Sequence, residues 1–223
     1  MVKIGAITIG QSPRKDVTPD MLPILGDNIE LIQAGGLDGL TREEIETFVP
    51  TEGDYVLVSK LRDGSNVKFA ERYILPRLQE CINKLEKEGA SSIIFLCTGD
   101  FPDVFTSTVP LIFPCKVLNA LVPAVAQRSK IAVITPDVMQ VKQAENKWRD
   151  FVKEVTAIPA SPYKEEQELL DAAAIIKNLD VDLVVMDCIG YTQEMKDKVR
   201  ALTGKNIVLS RTILARVVRE LVD

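Results

Sequence analysis

The chain has 223 residues, of which 46% are apolar and 26% charged, with a formal net charge of −5. That is an ordinary globular composition with enough apolar material for one large domain or two small ones. The acidic balance offers no basic footprint for a phosphate backbone, so nucleic acid is excluded as an expected partner and a small molecule favoured. Histidine is absent altogether, which removes Ser-His and Cys-His pairs, the usual zinc ligands and the commonest general base near neutral pH.

The opening run Val2 to Ile9 has the branched, apolar character of a buried strand, and Gly10-Gln11-Ser12-Pro13-Arg14 breaks it into a polar loop. Ser12 with Pro13 also fits a helix entry, as N-cap and first helical residue. Ile29 to Gln33 predicts a second strand, and Thr41-Arg42-Glu43-Glu44 has the form of a capping box on a short helix. Tyr55–Leu61 and Asn66–Ala70, joined across Asp63-Gly64, read as a hairpin. From Glu71 to Glu88 the apolar residues recur at helical spacing, with Pro76 forcing a kink or a late start and Gly89 a stop.

A strand ending at Cys97 follows, then a segment punctuated by Pro102, Pro110 and Pro114, then an apolar helix from about Lys116 to Gln127. Lys130 to Thr135 predicts a strand. Helices are expected on Val141, Ala144, Trp148 and Phe151, and again on Leu169, Leu170, Ala173 and Ile176. A strand running to Cys188 precedes a helix through Met195, Val199 and Leu202, the strand Asn206 to Leu209, and a closing helix on Leu214, Val217, Val218 and Leu221. Alternation of this kind implies parallel sheets covered on both faces. Ile4-Gly5-Ala6-Ile7-Thr8 is answered by Ile131-Ala132-Val133-Ile134-Thr135, and Cys97-x-Gly99 by Cys188-x-Gly190, so the chain reads as two related α/β halves.

Cys97 and Cys188 each end an apolar run, and two thiols at matching strand ends point to one shared site. Such a pair suits acid/base chemistry at carbon, one thiolate removing a proton and the opposite thiol supplying one. Strand ends that feed helix N-termini favour the thiolate through unpaired N–H groups and the helix dipole. Donors for a substrate carboxylate are Thr8, Gln11, Ser12 and Arg14 in the first loop, with Thr98, Gly99, Thr135, Gly190, Tyr191 and Thr192 at the other strand ends. Asp187 is expected to point away from Cys188 by strand alternation. Cys81 and Cys115 read as structural, and the four cysteines have neither metal nor C-x-x-C spacing. No dinucleotide or phosphate-loop fingerprint is present. No signal peptide and no membrane span are read, so the expected location is the cytoplasm.

Thr8-Ile9-Gly10-Gln11-Ser12-Pro13-Arg14, the strand to Cys97-Thr98, the stretch Phe113 to Val125, and Val185-Met186-Asp187-Cys188-Ile189-Gly190-Tyr191 together resemble the aspartate/glutamate racemase superfamily, and within it the AroM-type proteins. The resemblance implies two pseudo-symmetric parallel-sheet lobes, 1–112 plus 209–223 and 113–208, with a cleft between them. It implies a cofactor-independent racemase, isomerase or decarboxylase acting beside a carboxylate through Cys97 and Cys188, needing neither metal nor pyridoxal phosphate. Such racemases follow the first Cys with Asn-Thr and the second with Thr-His-Tyr. Here Thr98-Gly99 and Ile189-Gly190-Tyr191 stand in those places, with Gly190 at the histidine position. The alternative is a non-catalytic protein that binds or senses a small carboxylate on the same fold. A homodimer is the default expectation for assembly.

Overall fold

The computed structural model describes residues 1–126 and 128–222. Gln127, the end expected for one helix, and Asp223, the end of the expected first lobe, lie outside the described residues. The chain divides into two compact units, residues 1–114 with Val222, and residues 115–221.

The first unit contains, in order, β1 (Val2–Thr8), α1 (Thr18–Leu25), β2 (Ile29–Gly35), α2 (Arg42–Glu46), the hairpin β3 (Val56–Lys60) and β4 (Asn66–Ala70), α3 (Leu75–Lys87), β5 (Ser92–Phe95) and β6 (Leu111–Ile112). Its main sheet is parallel, in the order β2-β1-β5-β6. The hairpin stands apart as an antiparallel pair, with Val56 opposite Ala70 and Lys60 opposite Asn66. Thr41 and Glu44 form the reciprocal capping box that starts α2. Pro76 sits in the first turn of α3, after a single 3-10 turn over Glu71–Tyr73, so the proline gives a late start and no kink.

The second unit contains α4 (Pro114–Val125), β7 (Lys130–Thr135), α5 (Val141–Arg149), β8 (Glu154–Pro159), α6 (Gln167–Lys177), β9 (Leu183–Met186), α7 (Gln193–Thr203), β10 (Asn206–Leu209) and α8 (Ser210–Val222). Its sheet, also parallel, has the order β8-β7-β9-β10. Both sheets therefore place their strands as second, first, third, fourth. The two halves are one topology written twice.

Alternation along the central strands explains why both faces of the second sheet are dry. Ile131, Val133, Leu183 and Val185 pack with Leu118 and Trp148, while Ala132, Ile134, Val184 and Met186 pack with Leu169, Ile176 and Val199. In the first unit, Phe95 anchors a cluster with Phe101, Phe105 and Phe113, at centroid distances of 4.4–5.6 Å.

Three sequence expectations need correction. Ser12-Pro13 does not open a helix: α1 starts at Thr18, and residues 12–17 form a turn in which the Arg14 carbonyl accepts from the amides of Val17 and Thr18. The strand β8 lies between two expected helices, where no strand was expected. Residues 209–221 belong with the second unit rather than the first, because the start of α8 is hydrogen-bonded to the Cys188 turn: Ser210 Oγ donates to the Cys188 carbonyl at 2.8 Å.

Candidate active site

Each thiol sits one residue beyond the last ladder bond of a third strand. The Leu96 amide donates to the Ile7 carbonyl at 2.6 Å, and the Asp187 amide to the Ile134 carbonyl at 3.0 Å. The chain then turns, and the amide two residues past each cysteine folds back onto its sulfur. Gly99 N–H donates to Cys97 Sγ at 3.3 Å, and Gly190 N–H to Cys188 Sγ at 3.3 Å. An N–H aimed at sulfur stabilises the thiolate over the thiol. The echo read between 4–8 and 131–135 extends to the residue that follows the neighbouring strand: Thr8 and Thr135 carbonyls accept from the Gly36 and Ala160 amides, both at 2.9 Å.

Around Cys188 the turn is held from beneath. Arg211, 1% exposed, donates from Nε to the Ile189 carbonyl and from Nη2 to the Gly190 carbonyl, each at 2.9 Å. Tyr163 Oη lies 3.9 Å from Cys188 Sγ. A Cβ built on Gly190 would stand 2.5 Å from that same Oη, so the tyrosine fills the space a histidine here would need. Asp187 faces away from Cys188, as alternation requires: its carboxylate takes Lys147 Nζ at 2.9 Å and Trp148 Nε1 at 2.9 Å in a buried triad.

Cys97 has lighter company. Asp100, three residues on, donates its amide to Tyr55 Oη at 3.0 Å, tying the turn to the start of the hairpin. Glu71, just past β4, has a buried Oε1 with no hydrogen-bond partner, and burial together with the nearby Asp100 charge pushes its carboxyl up to about 7. Cys81 and Cys115 are buried, as expected of structural residues. Burial, with Asp38 nearby, pushes the Cys81 thiol up to about 11.

Most of the expected carboxylate donors are also engaged internally. Arg14 is 3% exposed, and its fork already holds a carboxylate: Nε and Nη2 each reach Asp16 at 2.8 Å, while Nη1 donates to Thr8 Oγ1 at 3.2 Å. Thr8 Oγ1 also accepts from the Gly10 amide. Ser12 gives its amide and hydroxyl to Asp38. Tyr191 is fully buried, its phenol donating to the Ala160 carbonyl at 2.6 Å and held well above its usual range by burial. Thr192 caps α7 by accepting from the Met195 amide. Thr98 and Thr135 are buried beside their turns. Gln11 keeps its amide nitrogen available, since only its Oε1 is used, by the Arg62 amide.

Sequence reasoning missed Asp38, Arg62, Tyr163 and Arg211. Asp38 gathers the Ser12 amide and hydroxyl, the Gly35 amide and Arg62 Nη2. Its signal was the turn Gly35-Gly36-Leu37-Asp38 after a strand. Arg211 carried none, lying within a helix whose apolar spacing begins at Leu214. Among the described residues no cluster of three metal-ligating side chains exists, and no helix is long and apolar enough to cross a membrane.

A family model described as "AroM protein" matches residues 4–222. No curated protein sequence matches the chain. Among solved structures, allantoin racemase from Klebsiella pneumoniae superposes with a TM-score of 0.69 at 13% identity, covering 100% of this chain and 88% of that one. Aspartate racemase from Picrophilus torridus gives 0.65 at 11% identity over 99% and 94%. Arylmalonate decarboxylase gives 0.64 at 13% over 98% and 92%. At such identities the likeness carries the two-lobed racemase-like fold and nothing finer.

Proposed function

The chain belongs to the AroM family, and from that premise we propose that it is a cofactor-independent enzyme of the racemase, isomerase or decarboxylase kind, acting at a carbon beside a carboxylate with Cys97 and Cys188 as its acid/base pair. The observation that carries this reading is the twin turn: two cysteines at equivalent positions of a repeated topology, each receiving the amide of residue i+2 on its sulfur. A thiolate so stabilised removes a proton, and its counterpart in thiol form returns one, so no histidine is needed. Enzymes of this fold include racemases and a decarboxylase.

The test is exchange of the carbon-bound proton in deuterated buffer, followed by proton NMR over a panel of amino acids, hydroxy acids and dicarboxylates. Cys97→Ser and Cys188→Ser should each abolish exchange while leaving the thermal midpoint in place; exchange that survives both changes overturns the assignment. The absence of histidine favours a second reading, a protein that binds a small carboxylate without turning it over. Saturable binding with no exchange on any panel member decides for it.

A further inference from the structure

In the first unit, the loop after β1 and the turn of the β3–β4 hairpin enclose a cavity of about 440 Å³. Four cationic side chains line it: Arg14 and Lys15 from the loop, Lys60 and Arg62 from the hairpin. The two acids in its wall are already committed. Asp16 holds the Arg14 fork, and Asp63 accepts from the amide and hydroxyl of Ser65 while facing Arg42. The side-chain ammonium groups of Lys15 and Lys60 have no hydrogen-bond or ion-pair partner among the described residues. Like charges brought together without a counter-charge repel one another, and an anion relieves that cost.

The walls are built in advance. Arg62 donates its amide to Gln11 Oε1 at 3.0 Å, its Nε to the Ser12 carbonyl at 2.6 Å and its Nη2 to Asp38 at 2.5 Å, so three bonds fasten the hairpin turn to the loop. Arg62 Nη1 and the Gln11 amide nitrogen remain for a ligand. A guanidinium fixed in this way recognises a planar or tetrahedral oxyanion with little further loss of freedom.

We infer that this cavity is a binding site for a small dianion, a group with two acidic oxygens such as a phosphate or a dicarboxylate. Lys15, Lys60 and Arg62 supply the charge, and Gln11 a neutral donor. The site lies within one unit and does not depend on the thiol chemistry proposed above.

Isothermal titration of the full chain with inorganic phosphate, pyrophosphate and succinate at low ionic strength tests the inference. Wild-type protein should bind at least one of them saturably at a single site. The double variant Lys15→Gln/Lys60→Gln, which removes no intramolecular bond, should weaken that binding at least tenfold with an unchanged thermal midpoint. Lys177→Gln, on α6 in the other unit, should leave it unaltered. Preference for pyrophosphate identifies a phosphorylated ligand and preference for succinate a dicarboxylate; either supports the site. Absence of saturable binding for all three probes, or full binding by the double variant, overturns it. The Cys97→Ser/Cys188→Ser protein should bind as wild type does, and anion binding that vanished with the thiols would also count against the site.

Discussion

The guanidinium of Arg211 and the thiol of Cys188 are joined through a single peptide group. The carbonyl of Ile189 accepts from Arg211 Nε, and the N–H at the other end of that peptide, on Gly190, donates to Cys188 Sγ. A buried cation on the oxygen side polarises the peptide and strengthens its N–H as a donor. The charge so reaches the sulfur without contact.

Arg211→Met should therefore lower the thiolate fraction of Cys188 and slow its alkylation by roughly tenfold at neutral pH, the size of a one-unit change in thiol acidity. Cys97, whose sulfur takes the Gly99 amide instead, should keep its rate. Iodoacetamide labelling as a function of pH, read peptide by peptide in the mass spectrometer, measures both. Equal rates at Cys188 in variant and wild type would show that the cation only braces the loop.

Lys147 and Asp187 are each 6% exposed and form an ion pair with N···O of 2.9 Å. Lys147→Met strands the carboxylate in the interior and should cost about 3–5 kcal/mol in urea unfolding. Lys147→Met/Asp187→Leu should recover much of that loss, although Trp148 Nε1 then lacks its acceptor. A double variant as unstable as the single one would contradict this account.

Glu71 sets a pH dependence. Its folded carboxyl titrates near 7, above the ordinary 4.5, because burial and the Asp100 charge disfavour its ionised form. The folded state thus holds the proton that the unfolded chain has already released, and stability must fall as pH rises from about 4.5 through 7. Calorimetric midpoints should decline across that window and decline less in Glu71→Gln. A slope identical in the two proteins would assign it elsewhere.

Gly35, at the end of β2, has no room for a side chain: a Cβ there would lie 2.6 Å from both the Gly10 carbonyl oxygen and the Ser12 amide nitrogen. Those are backbone atoms, which cannot swing aside. Gly35→Ala should destabilise by about 1–3 kcal/mol through overpacking, and should weaken anion binding by shifting the loop that carries Gln11. Denaturant midpoints and the titration above report the two effects separately.

The central strands were legible in the sequence because they are buried on both faces, and unbroken runs such as Ile131 to Thr135 admit little else. The hairpin at Asp63-Gly64 and the capping box at Thr41 were legible for a different reason, since their chemistry is local. What escaped was short or contrary to pattern. The helix α1 spans eight residues and contains Pro19 and Pro23, and β8 ends on Pro159 at an edge of its sheet, where a missing donor costs nothing. The two thiols and their matching turns were visible as Cys-x-Gly. Their supports were not, because Arg211, Tyr163 and Asp38 act across the fold, and no spacing along the chain records a carbonyl met from another helix. Arg14 shows the converse: nothing in its spacing announced that its fork is held by an acid two residues away.

Asp38 receives four donors on two oxygens, from three separate stretches of chain. An amide there would turn hydrogens toward hydrogens, and a shorter or apolar residue would release three segments at once. Position 38 is therefore not free to drift on its own. Among diverged descendants of this gene, exchanges at 12, 38 and 62 should travel as a set, and a lineage that loses one of the three should be found to have rebuilt the corner.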